Sequence, residues 1–191
     1  MSVDSIRRER RALSARLRDA PADEVLALAD SLVPERRWFA YELVYHHPAA
    51  RSALDLAWVE RLGRDLGDWG AVDAFGRYIA GPAWRRGLID DEAVHGWAES
   101  EGRWWRRAAL VATVPLNLRA AGGTGDTQRT LAICAQLAAD RDDMVVKALS
   151  WALRELIVWD PEAVRSFLAS NDLAPRVRRE VTTKLETGRK R

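Results

Sequence analysis

The sequence predicts an all-α protein in which pairs of helices stack into a curved, HEAT-like helical-repeat solenoid. Apolar residues recur at helical spacing along almost the whole chain, whereas the alternating pattern of a half-buried strand is nearly absent. The predicted helices form pairs of roughly 35 to 45 residues joined by short turns, a length typical of helical repeats. Each pair in such an array buries its apolar face by stacking on the next. An ordinary helical bundle is the alternative.

Prolines, glycines and capping residues set the predicted helix boundaries. Pro21 and Pro34 bracket the second helix, and Asp90 and Asp91 are capping candidates for a later one. The helix after Pro34 is expected to place Trp38 on its inward side. In chain order, the predicted helices span residues 3–17, 22–32, 35–45, 52–66, 69–78, 92–99, 101–118, 127–139, 145–158, 162–170 and 174–185.

Length and composition fit one domain over residues 1–191, because 48% hydrophobic residues are ample for one core. We expect basic, mobile ends at 1–20 and 186–191. The net charge is only +2, yet arginines and lysines crowd both ends of the chain. Such clusters suit a polyanionic partner, although terminal basic residues also serve simply to keep a frayed end in solution.

Several classes of function are excluded by what the sequence lacks. A single cysteine, Cys134, offers neither a disulfide framework nor zinc-ligand spacing, and the three histidines show no metal-ligand pattern, so we expect no metal or other cofactor. The glycine loop 121–126 follows no strand and precedes no Gly-Lys-Ser/Thr, so it is not a P-loop. No apolar run reaches the roughly 18 residues of a membrane span, and we expect a cytoplasmic protein.

The segment 101–118, EGRWWRRAALVATVPLNL, is predicted to be the central helix. Its buried stripe includes Trp104, Ala108, Val111 and Ala112, and it is expected to kink or end near Pro115, which has no N–H to donate. Arg107 lies beside that stripe, at a half-buried position. A buried arginine usually has an anionic partner, here either an internal carboxylate or a phosphate ligand.

Two further helices carry residues that a core does not explain. Trp151 projects between Lys147, Arg154 and Glu155 on the outer side of its helix, where it packs against a neighbouring repeat or stacks on a ligand. Trp69 and Asp73 are spaced i, i+4 and therefore share a helix face. Asp73 is expected either to face a groove or to pair with Arg77, one turn further on.

Three motifs occur along the chain in this order: WGAVD at 69–73, WRRAA at 105–109 and VVKALSWALRE at 145–155. In these motifs the chain resembles the DNA alkylation repair family of HEAT-like-repeat, AlkD-like glycosylases. The resemblance covers residues 34–168, and VVKALSWALRE is its most specific part. The family tends to carry an acidic residue after the first tryptophan, where this chain has Gly70.

The resemblance implies a role for each matched residue. Asp73 is the catalytic carboxylate, and Trp69 and Trp151 flank the lesion and its sugar. Arg107 holds the DNA backbone. Lys147 and Arg154, on the helix of the most specific motif, are expected to contact the backbone as well.

The function implied is that of a monomeric, metal-independent DNA glycosylase. It would excise cationic N3- or N7-alkylated purines from double-stranded DNA by hydrolysing the N-glycosidic bond, and a nucleoid-associated, cytoplasmic location is expected. The alternative is a catalytically inactive HEAT-like module that binds DNA or a protein partner. Pairing of Asp73 with Arg77 would favour the inactive module, whereas exposure of its carboxylate beside Trp69 and Trp151 would favour the enzyme.

Overall fold

The computed structural model describes residues 3–188, which form helices joined by short turns and contain no strand. The helices are α1 (Val3–Arg16), α2 (Ala22–His46), α3 (Pro48–Ser52), α4 (Leu56–Leu62), α5 (Trp69–Phe75), α6 (Gly81–Arg85), α7 (Asp91–Ala98), α8 (Arg103–Asn117), α9 (Thr127–Gln136), α10 (Asp143–Leu156), α11 (Pro161–Ser170) and α12 (Pro175–Thr187). The all-α helical-repeat prediction is confirmed. The basic residues 189–191, and with them part of the predicted mobile end, lie outside the described residues.

Helix α8 is the centre of the packing, since α6, α7, α9 and α10 all lie against it. Ala108, Val111 and Ala112 are fully buried, as the apolar stripe predicts. The helix ends at Asn117, two residues past Pro115, in agreement with the predicted stop. The Asn117 side chain connects α8 to the start of α9. Its Nδ2 donates to Thr130 Oγ1 (2.8 Å), and its Oδ1 accepts from the Asp126 backbone N–H (3.0 Å).

Helix α2 differs from the prediction of two separate helices at 22–32 and 35–45. It continues through Pro34 with a kink at Arg36, whose backbone angles (φ −136°, ψ 47°) are not helical. The residues after the kink bury one side of the helix, which includes Ala40 and Leu43. At about 100° per residue, Trp38 projects from the opposite side. It is 52% exposed, and the prediction that it faces inward was wrong.

The prediction of one helix over residues 52–66 was also wrong at the start of that helix. Residues 48–52 form the separate short helix α3, and α4 begins only at Leu56. Asp55 sets this start, because its carboxylate accepts a hydrogen bond from the Trp58 backbone N–H at 2.8 Å.

Helix α5 runs into α6 through a π-helical turn, Gly76–Ala80, so the predicted helix 69–78 extends to Arg85. Two glycines let this segment lie directly on α8. A Cβ atom on Gly76 would meet Val111 Cγ1 at 2.6 Å, and one on Gly81 would meet the Ala112 carbonyl oxygen at 2.6 Å. The close approach brings the end of α5 and the π-helical turn against the middle of α8.

Candidate functional site

An open cleft of about 580 Å³ lies beside α5, and three of the predicted site residues line it: Trp69, Asp73 and Trp151. Trp69 and Asp73 both come from α5, whose first turn is capped by Asp68 through a 2.9 Å hydrogen bond from the Ala71 N–H. Trp69 is 60% exposed. Trp38, which is 52% exposed, lines the same cleft, and neighbouring exposed aromatic rings of this kind are typical of a binding surface.

The Asp73 carboxylate is held by Arg107, not by Arg77. Arg107 donates from Nε to Oδ1 (3.0 Å) and from Nη2 to both carboxylate oxygens (2.7 and 3.0 Å). The Arg107 side chain is only 6% exposed, whereas that of Asp73 is 22% exposed. The carboxylate therefore has a buried side that meets the guanidinium and an open side that meets the cleft.

Arg107 also joins the three helices that build the site. Its Nη1 donates to the backbone carbonyl of Met144 in the first turn of α10, while its other nitrogens bind Asp73 on α5. Because α10 carries Trp151, one arginine on α8 fixes the helices that bear the carboxylate and both tryptophans. The partner predicted for Arg107 is thus a carboxylate and a carbonyl within the protein.

Burial raises the pKa of Asp73 above its usual range. The charge of Arg107 and its hydrogen bonds act in the opposite direction and hold this rise back, while the nearby negative charge of Asp68 adds to it. The arginine thus favours the ionised form of a carboxylate that would otherwise take up a proton more readily.

Trp151 is half-buried and lines the cleft from α10. Its Nε1 donates to Glu155 Oε1, one turn further along α10, at 3.1 Å. This hydrogen bond fixes the tilt of the indole and leaves part of the ring open to the cleft, as its predicted position between charged residues suggested.

Lys147 and Arg154 do not line the cleft. Lys147 Nζ lies 2.5 Å from Asp143 Oδ2, and Arg154 donates from Nε to the Ser150 carbonyl (3.1 Å) with Nη2 3.8 Å from Glu180 Oε2. Both are on α10, on either side of Trp151. Their predicted contact with the DNA backbone stays a prediction.

The cleft also contains residues that the sequence motifs did not single out: Arg37, Trp38, Asp68, Arg77 and Tyr78. Asp68 supplies an acidic group beside Trp69, although the position after the tryptophan is Gly70. The sequence did give a signal for Asp68, since an aspartate directly before the start of a helix is a typical capping residue. No comparable sequence signal singled out Arg37, Trp38, Arg77 or Tyr78 as residues of the cleft.

Exposed arginines on α1 form a basic surface, and one of them, Arg7, lines a small cavity together with Trp38 of the cleft. Arg7, Arg8 and Arg11 are exposed, and within residues 3–188 none of them has an ion-pair partner. The helix is attached to α2 by two other residues, Glu9 through Arg36 (2.7 Å) and Arg10 through Glu42 (3.4 Å). The unpaired charges are thus available to an anion.

In the described part of the chain, every helix is too short or too polar to cross a membrane. Among the same residues, no three His, Cys, Asp or Glu side chains are grouped so that they could hold a metal ion.

Comparison with known proteins identifies the family of this chain. The model of a family described as DNA alkylation repair enzyme matches residues 5–185, which is nearly the whole chain. A search of curated proteins gave no match.

Proposed function

Because the chain belongs to the DNA alkylation repair enzyme family, we propose that it is a DNA glycosylase that hydrolyses the N-glycosidic bond of cationic N3- and N7-alkylated purines in duplex DNA. One observation carries the proposal. An oriented carboxylate, Asp73, lines the same open cleft as two tryptophans, Trp69 and Trp151. The proposed substrate is positively charged, and this arrangement offers it one anion and two indole faces.

The reaction needs little from the protein at the leaving base. Alkylation at N3 or N7 places a positive charge on the purine, so that the base departs as a neutral molecule with the electrons of the glycosidic bond and needs no general acid. The positive charge then lies on the sugar. Water adds to C1′ and releases one proton, which leaves an abasic site, the free alkylpurine and H⁺.

Asp73 is the residue suited to stabilise the sugar cation. Two unit charges about 4 Å apart interact by about 4 kcal/mol at the effective dielectric constant typical near a protein surface. Arg107 offsets part of this attraction, because its own charge lies within 3 Å of the carboxylate. Its contribution is to keep Asp73 ionised and aimed at the cleft, and Arg107 therefore acts as a positioning residue.

Trp69 and Trp151 would contact the lesion and its sugar. The negative face of an indole attracts a cation by roughly 0.5 to 2 kcal/mol, depending on how far water is excluded. A neutral purine gains no such attraction, so the tryptophans provide a means of recognising the charge that alkylation creates. Lys147, Arg154 and the arginines of α1 would add contacts to phosphates.

The pairing of Asp73 with Arg107 favours a second candidate function, a catalytically inactive module that binds damaged DNA. A carboxylate that already accepts three hydrogen bonds has less capacity left for a water molecule or a sugar cation. This candidate keeps the cleft and the basic surface and lacks the chemical step.

One experiment separates the two functions. Duplex DNA treated with a methylating agent is incubated with the protein, and released 3-methyladenine and 7-methylguanine are measured by chromatography. We expect release well above the spontaneous rate, and release at the spontaneous rate together with retained binding would establish the inactive module instead. A mock preparation purified in the same way from cells that lack the protein is the control for contaminating glycosylases.

A further inference from the structure

We propose that Arg77, and not Arg107, is the residue that binds a phosphate of the damaged strand at the cleft. The inference rests on the proposed function, because it presupposes that alkylated DNA occupies this cleft. It assigns a binding role to a residue that lies outside the sequence motifs of the site.

Arg107 has few donors left for a phosphate. Nε and Nη2 donate to Asp73, and Nη1 donates to the Met144 carbonyl. With 6% of its side chain exposed, it could reach a phosphate only by abandoning those partners. That movement would leave Asp73 unpaired in a partly buried position, at a considerable cost in free energy.

Arg77 is in the opposite situation. It is exposed, it lines the cleft, and within residues 3–188 no carboxylate lies in ion-pairing distance of its guanidinium. Its guanidinium carbon lies 5.7 Å from the centroid of the Tyr78 ring, a contact that orients the side chain and uses none of its N–H donors. Its five donors therefore remain available for a planar, bidentate contact with a phosphate.

The other cation of the cleft, Arg37, is already engaged with the protein backbone. Its Nη1 donates to the carbonyls of Leu62 (3.3 Å) and Arg64 (2.8 Å), both at the end of α4 or just beyond it. Arg37 therefore fixes a loop. This leaves Arg77 as the cation of the cleft lining whose donors are not committed elsewhere.

Spacing alone would allow Arg77 to pair with Asp73, because residues i and i+4 of an α-helix lie one above the other. Asp73 is instead directed at α8, where its carboxylate accepts three hydrogen bonds from Arg107. Arg77 lies within the π-helical turn Gly76–Ala80 and lines the cleft without that partner.

The test compares Arg77→Gln with Arg86→Gln, which removes the charge of another exposed arginine outside the cleft lining. Affinity is measured by fluorescence anisotropy over a series of salt concentrations, for a duplex with a tetrahydrofuran abasic-site analogue and for an undamaged duplex. For Arg77→Gln we expect about tenfold weaker binding to the abasic duplex, as for the loss of a charge-assisted contact, and a salt slope smaller by about 0.9. Arg86→Gln should stay within about twofold of the parent.

Unchanged affinity in Arg77→Gln, or an equal loss in both variants, would overturn the proposal. Thermal unfolding of both variants should match the parent, and a lower melting temperature for Arg77→Gln would show a structural role instead. The test is independent of catalysis. A parent protein that binds the abasic duplex but releases no methylated base would refute the glycosylase and leave the comparison of the two arginines intact.

Discussion

The Asp73 carboxylate and the Arg107 guanidinium form a bidentate ion pair in which the closest nitrogen–oxygen distance is 2.7 Å. The pair lies between α5 and α8, with the arginine buried and the carboxylate at the wall of the cleft. In such a pair the arginine fixes the orientation of the carboxylate and stabilises its charge. If this orientation serves catalysis, changes to either member of the pair should alter the rate of base release.

Asp73→Asn should slow base release by about 10²-fold or more, because it removes charge that stabilises the sugar cation in the transition state. Affinity for undamaged duplex DNA should be equal or slightly higher, since a negative charge near the phosphates is lost. Single-turnover release of 7-methylguanine and anisotropy titrations measure the two quantities. Full activity in Asp73→Asn would show that the carboxylate has no catalytic role.

The same substitution leaves Arg107 buried without its carboxylate. Removing one member of a fully buried pair costs about 3 to 5 kcal/mol, and the partial exposure of Asp73 should make the loss smaller here. Release rates are therefore compared at a temperature where circular dichroism shows both proteins to be folded.

The rate of base release should fall as the pH is lowered through the raised pKa of Asp73, because only the ionised carboxylate stabilises a cation. Arg107→Met removes the charge and the hydrogen bonds that hold this pKa down. The acidic limb of the pH–rate profile should therefore move to higher pH, and the rate should recover at alkaline pH. The acidic limb of Arg107→Lys, which retains a positive charge, should lie between those of the parent and of Arg107→Met.

This shift distinguishes a positioning residue from a purely structural one. If Arg107→Met lowers the rate by the same factor at every pH, Arg107 does not act through the ionisation of Asp73. Profiles are recorded at saturating protein, so that a change in DNA affinity does not contribute.

Trp151→Ala should reduce the preference for alkylated over undamaged DNA by about fivefold, which corresponds to the loss of roughly 1 kcal/mol of cation–π attraction. Trp151→Phe keeps an aromatic face and should retain most of the preference, although it loses the hydrogen bond to Glu155. Trp58→Ala is the matched control, since Trp58 is also half-buried and stacks on Arg61 outside the cleft lining. An equal loss in Trp58→Ala would mean that the effect is not specific to the cleft.

Residues within one regular helix were predictable from the sequence. Trp69 and Asp73 share a face of α5 because their i, i+4 spacing lies wholly before the π-helical turn. The alternative partner, Arg77, lies within that turn, and Asp73 pairs with Arg107 of the neighbouring helix α8 instead. Spacing within one helix thus did not decide between the partners that the sequence left open for Asp73.

Contacts between helices were not predictable. The sequence indicated that Arg107 needs an anion, but the choice of Asp73 depends on how closely α5 approaches α8, which in turn depends on Gly76 and Gly81. Trp38 shows a different limit, because its aromatic character suggested burial although it projects from the side of the helix opposite the buried Ala40 and Leu43. The contact of Asp73 with Arg107 depends on packing between helices, which apolar periodicity does not record.

The last prediction tests the close approach of α5 and α8. Gly76→Ala would place a Cβ atom 2.6 Å from Val111 Cγ1 and 3.0 Å from the Val111 backbone carbon. Relieving this overlap should cost about 1 to 3 kcal/mol in unfolding free energy and should move α5 away from α8, which would lengthen the Asp73–Arg107 contact and slow base release.

Gly96→Ala is the matched control for Gly76→Ala. Gly96 also lies within a helix, but a Cβ atom there would have no neighbour within 4 Å. This variant should be more stable by about 0.4 to 1 kcal/mol, because alanine restricts the unfolded chain, and its release rate should be unchanged.

Adding Val111→Ala to Gly76→Ala removes the branched side chain that the new Cβ atom would overlap, and should restore part of the activity. Chemical denaturation and single-turnover release measure both effects, and a Gly76→Ala protein with the stability and rate of the parent would show that the site does not depend on this contact.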